Sequence, residues 1–174
     1  VCVHYVVSST DTATQSWAET TLAVMESVWK FEIATMGYRA PAPDGSKGSE
    51  TGGQTVGKFD VYLSNIGGDG YYGYCAGEAK VPGQSLRESG YCVLDNDFTE
   101  FVLNPTSSLK VTAAHEFFHA IQFNYDALED RWLMEATATW MEERYADSIN
   151  DNRQYLRFGQ SSKPGVPLDT FGGL

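Results

Sequence analysis

Basic side chains are scarce in this chain of 174 residues: Lys and Arg number 12 against 23 Asp and Glu, a formal net charge of -11 at pH 7. A surface that neutralises phosphates needs clustered Lys and Arg, so a nucleic-acid partner is excluded, and anionic membrane surfaces are disfavoured on the same ground. No apolar run approaches the roughly 20 residues that span a bilayer, which excludes insertion by a helix. Internal repeats and low-complexity tracts are absent too. Histidine and cysteine number three each, whereas ten Tyr, nine Phe and four Trp supply the material of a buried core. That aromatic content excludes disorder over most of the chain, and the length suits one domain or two small lobes sharing a cleft.

The chain opens Val1-Cys2-Val3, with no initiator Met and no signal peptide, and closes on Gly172-Gly173-Leu174 after a Pro-rich stretch. These ends read as the bounds of a mature, excised or interrupted form. Cys75 and Cys92 bracket a loop-like segment and are read as a bridge across a hairpin, formed in an oxidising compartment. The alternative is three buried thiols. Cys2 is the odd one out.

Val1 to Val7 is β-branched and reads as a strand, and Ser8 to Asp11 offers helix caps. From Gln15 to Met36 apolar residues follow a helical period on a wide face (Trp17, Val24, Val28, Phe31 with Leu22, Met25, Trp29, Ile33), a helix packed on a sheet that stops at Gly37. Residues 41–57 hold Pro41, Pro43 and five glycines and read as a surface loop. Lys58 to Asn65, Tyr71 to Cys75 and Tyr91 to Leu94 read as strands. Helices follow at Leu109 to Asn124 and Arg131 to Tyr145, with a further one at Asp151 to Phe158. Strand, long helix, strands, then helices predicts an α+β layered fold instead of a doubly wound sheet.

The chemistry concentrates in Ala114-His115-Glu116-Phe117-Phe118-His119-Ala120. On an α-helix His115 and His119 stand one turn apart, about 6 Å along the axis, and point the same way, so both can bind one Zn2+. Glu116 is angled toward the same side, where it reaches water at the metal without being a ligand. The flanking Val111, Ala113, Phe117, Phe118, Ile121 and Phe123 make this helix apolar nearly all round, so its polar residues need partners or a metal. For a third ligand the best candidate is Glu135, an acid embedded among Leu133, Met134, Ala136 and Ala138. Fifteen residues separate it from His119, room for a turn and an antiparallel return. Asp126 and Asp130 are alternatives, and His4, read first as structural, is another.

His115-Glu116-x-x-His119 followed by Trp132-Leu133-x-Glu135-Ala136-x-Ala138 resembles the gluzincin class of zinc metallopeptidases. It is most similar to hyicolysin-type enzymes and to poorly characterised metallopeptidases secreted by bacteria. The likeness is sharpest over residues 109–145 and softer at Phe59 to Leu63, Tyr72 to Tyr74 and Leu94 to Phe98. It implies a zincin-like α+β fold: a twisted mixed sheet with the long N-terminal helix and the active-site helix, plus a small C-terminal helical lobe. It implies His115, His119 and Glu135 as zinc ligands and Glu116 as catalytic base. The whole of 1–174 is then one catalytic domain, with a sheet and active-site lobe over 1–126 and a helical lobe, read as cut short, over 127–174.

Metzincins are excluded, because Gln122 and Tyr125 stand where their further ligand motif falls. Thermolysin-like gluzincins carry an Asp four residues after the third ligand to orient a zinc histidine, and here that position is Thr139. Glu142 is one replacement, although it reads first as a solvated acid. The oxyanion-stabilising group of such enzymes is sought at Tyr145 or Tyr155. The oxygen-rich Asp95-Asn96-Asp97 and Asp69 turns read first as Asx-turns and second as Ca2+ loops. The function expected is a secreted, monomeric zinc endopeptidase acting on protein or peptide substrates, the alternative being a zincin-fold module that binds zinc without hydrolysing peptides.

Overall fold

A computed structural model describes residues 1–45, 47–48 and 57–170. Most of the loop read over 41–57, and the closing Gly172-Gly173-Leu174, therefore lie outside the described residues. The fold is α+β, as the pattern of elements predicts. Strand β1 covers Cys2–His4, β2 Asp60–Ser64, β3 Gly73–Lys80 and β4 Glu88–Asp95, and helix α1 covers Gln15–Trp29, α2 Pro105–Asp126 and α3 Arg131–Ala146. The sheet is mixed, in the order β1-β2-β4-β3, with β1, β2 and β4 parallel and β3 antiparallel to β4. No helix among the described residues is long and apolar enough to cross a membrane.

Helix α1 begins at Thr14, whose Oγ1 accepts from the Trp17 N–H at 3.1 Å, three residues beyond the caps read from the sequence. Helix α1 packs against α2 and β1, and its buried stripe (Ala18, Thr21, Met25, Val28) continues into a π-helical turn, Lys30–Thr35. The next residue on that stripe is Glu32, an acid with no exposed surface. Gly37, at φ +81°, ends the run in the left-handed region that favours glycine. β1 is shorter than the apolar run Val1 to Val7, because Val6 leaves the sheet and forms an isolated bridge to Thr12.

The hairpin β3–β4 is longer than the alternation suggests. Gly77 and Gly90 dilute the pattern, and a register shift between Gly77 and Ala79 interrupts it. Gly90 has a packing reason: a Cβ there would stand 2.6 Å from the Ala76 carbonyl oxygen and 3.1 Å from the Phe123 ring. The glycine lets α2 lie close on the sheet. Cys75 and Cys92 face each other across this hairpin and are bridged, with the two sulfurs 2.8 and 3.6 Å from the Glu116 carbonyl oxygen of α2. The bridge therefore ties the hairpin beneath the helix that carries the His-Glu-x-x-His run. Replacing both cysteines by Ser is expected to lower stability by about 3 kcal/mol, since the bridge closes a loop of 17 residues. The urea midpoints of parent and variant, without reductant, measure that loss.

Candidate metal centre

Helix α2 starts cleanly, with Asn104 Oδ1 accepting from the Ser107 N–H at 3.0 Å and Pro105 at the first helical position. Neither Gly nor a second Pro interrupts its 22 residues. Leu109, Ala113, Ala114, Phe117, Ala120 and Ile121 are all buried, as an all-round apolar helix requires. After the turn at Ala127, α3 returns antiparallel and lays its own residues beside the histidines.

His115 Nε2 lies 3.2 Å and His119 Nε2 3.6 Å from Glu135 Oε2, and one ligand atom from each of the three residues falls within 4.8 Å of the other two. The opposite ring nitrogens are engaged elsewhere. His115 Nδ1 is 2.6 Å from Glu142 Oε1, and His119 Nδ1 is 2.7 Å from Gln122 Oε1. The Gln122 amide cannot be turned round, because its Nε2 donates to the Met134 carbonyl and to Thr137 Oγ1, both at 2.9 Å. Its oxygen therefore accepts from the Nδ1–H of His119, which leaves Nε2 with a lone pair facing Glu135. Glu142 accepts from the Nδ1–H of His115 in the same way. Two imidazole nitrogens and a carboxylate oxygen thus converge on one point that calls for positive charge: a metal ion or, without one, a proton on His115 Nε2 given to Glu135 at 3.2 Å.

The electrostatics agree. Burial opposes a charged His115, yet the bonds to Glu135 and Glu142 outweigh it and push its pKa up to about 10. The same histidines hold the half-exposed Glu135 well below the usual carboxylate range, against a smaller opposing effect of burial. Glu116, the residue between the histidines, is buried, and its desolvation raises its pKa while His115 and His119 pull it back. Burial also raises Glu142, against its bond to His115. His115, His119 and Glu135 thus converge, and Glu116 lies within electrostatic reach of all three. Glu142 is not the solvated acid it first resembles: its side chain is 12% exposed and bonded to a histidine.

Tyr155 stays within electrostatic reach of Glu142, whereas the other candidates fall away from this point. Tyr145 packs its ring on Phe31 at 5.6 Å, against the core. Tyr155, from the 3-10 turn Asp151–Phe158, has its phenol pushed up to about 12 by burial, with Tyr72, Asp151 and Glu142 adding to the shift. Asp126 accepts from the Leu128 N–H within the turn, and Asp130 precedes α3. His4 stands at the sheet edge beside Asp60. Asp95, Asp97 and Glu100 approach one another, but Asp95 accepts four backbone N–H bonds, from Ile66, Gly67, Asp97 and Phe98, and Asp97 accepts from Thr99. These acids shape their loop as Asx-turns do.

Gln122 is the functional residue that pattern reading missed. Its signal was present as a donor–acceptor side chain one helical turn after His119 on an otherwise apolar surface. On its far side, Gln122 helps line an apolar cavity of about 310 Å³ between α2 and α3, with Phe118, Ile121, Leu133, Met134 and Trp140, and this cavity touches none of the three converging residues. No protein-family model, no curated protein and no solved structure matches this chain.

Proposed function

We propose that this protein is a zinc-dependent endopeptidase of the gluzincin type, in one catalytic domain, with His115, His119 and Glu135 as the ligands and Glu116 as the general base. One observation carries the reading: Glu142 and Gln122 engage the Nδ1 atoms of the two histidines, so that both Nε2 atoms and a Glu135 oxygen face one point. Two imidazoles and one carboxylate are the donor set that suits Zn2+ with a position left open. When bound, Zn2+ supplies a Lewis acid that polarises a carbonyl and acidifies water near neutral pH.

The chain's own residues do the rest. Glu116, its pKa raised by burial, takes a proton from the attacking water on its carboxylate and passes it to the leaving amine. Tyr155, kept protonated far above neutral pH, is the donor proposed for the developing oxyanion. β3 is a sheet edge, and an extended substrate is proposed to lie along it, with main-chain bonds that are indifferent to sequence. The Cys75–Cys92 bridge supports a site of action outside the cell, since such bonds persist in oxidising compartments. Ca2+ has no part in this reading, because the Asp95 carboxylate is filled by backbone donors.

Thr139, where related enzymes keep an orienting Asp, favours a zinc-binding module without activity only if nothing else orients the histidines. Glu142 and Gln122 meet that need. The deciding experiment pairs zinc content with digestion of an unfolded protein such as casein, with and without a chelator. Zinc that is lost from the double variant His115→Ala, His119→Ala, together with hydrolysis that stops with the chelator, supports the peptidase; zinc at that point without hydrolysis leaves only the module. Separately, Glu142→Ala is expected to weaken zinc binding by about 10–100-fold, as measured by competition with a chromophoric chelator.

A further inference from the structure

A second set of metal-ligating residues lies at the other edge of the sheet. Cys2 and His4 alternate along β1, so both side chains leave the same face. The parallel register sets Cys2 opposite Asp60 and His4 opposite Tyr62. A sulfur, an imidazole nitrogen and a carboxylate oxygen come within 4.8 Å of one another there. His4 Nε2 is 2.6 Å from Asp60 Oδ1, and the imidazole stacks on Tyr62 with centroids 4.6 Å apart. Gly48 closes over the carboxylate, so near that a Cβ would stand 2.5 Å from Asp60 Oδ2.

Asp60 is 2% exposed, and a carboxylate so placed needs a cation. Among the described residues, its ion-pair partner is His4, which is charged only when protonated. Cys2 lies outside the Cys75–Cys92 bridge.

We propose that Cys2, His4 and Asp60 form a second metal site, for Zn2+, that clasps the three-residue strand β1 onto β2. The mixture of sulfur, nitrogen and oxygen selects a borderline ion over Ca2+ or Mg2+, which take oxygen ligands. Three protein ligands leave a fourth position to water. On binding, the thiol proton of Cys2 and the proton between His4 and Asp60 leave to solvent, and the ion takes their place. The clasp does not depend on hydrolysis at α2.

Cobalt separates the two sites in the full chain. Co2+ bound to a thiolate gives a sulfur-to-metal charge-transfer band in the near ultraviolet. The His115, His119 and Glu135 set contains no sulfur, and Cys75 and Cys92 are bridged. The parent protein is expected to bind two Co2+ per chain and to show the thiolate band. Cys2→Ser loses the band and one ion, whereas the double variant His115→Ala, His119→Ala loses one ion and keeps the band. Absence of the band in the parent overturns the proposal without any variant, and so does a band that survives in Cys2→Ser.

Discussion

Glu116→Gln is expected to bind one zinc at α2 as tightly as the parent while peptide hydrolysis falls by about 10²–10⁴-fold, the range that a positioned general base contributes. The substitution keeps the shape and removes only the ability to take a proton. The ligands are untouched, because the contacts that orient them run through Glu142 and Gln122 and not through Glu116. Zinc stoichiometry and a quenched-peptide assay on the same preparation read both halves of the expectation. Parent-level hydrolysis in the variant would place the base elsewhere, with Glu142 the next carboxylate in reach of His115.

Much of this centre is legible in the amino-acid order because helical periodicity is local. The spacing of His115 and His119 fixes their common face whatever packs around them. Glu135 is legible for a different reason: an acid among Leu133, Met134 and Ala136 has an evident burial cost. Glu142 was legible only as a second choice, because it sits in the polar run Glu142-Glu143-Arg144, and the antiparallel crossing of α3 over α2 is what turns it onto His115. That crossing is a tertiary fact. Gln122 was legible only as a departure from another enzyme class, although the amide fixes which nitrogen of His119 carries the proton. In the sheet, β3 and β4 outrun their apolar alternation because the disulfide and the ladder opposite hold residues, Gly77 and Glu88 among them, that have no strand preference of their own.

Glu32 was hidden by its charge. The helical stripe Ala18, Thr21, Met25, Val28 leads straight to it, yet an acid is not read as core. It has no exposed surface and neither carboxylate oxygen has a hydrogen-bond partner, and desolvation pushes its pKa up to about 9, against a smaller opposing pull from His115. The consequence for stability follows from linkage. An acid whose folded pKa lies above its unfolded value of 4.5 contributes stability that is fully present below that value and is lost as pH rises toward 9. At pH 7 the loss is about 3 kcal/mol, from two and a half pH units at about 1.4 kcal/mol each. In chelator-treated protein, Glu32→Gln is therefore expected to match the parent near pH 4.5 and to exceed it by about that amount at pH 7, measured as urea unfolding across the range. Parallel pH profiles for the two proteins would show that Glu32 is charged and paired in the fold. A buried acid that costs the fold stability at neutral pH, set in a π-helical turn within electrostatic reach of His115, fits the pattern in which local stability is given up near a functional site, here the proposed metal centre. The separation between the two profiles measures how much.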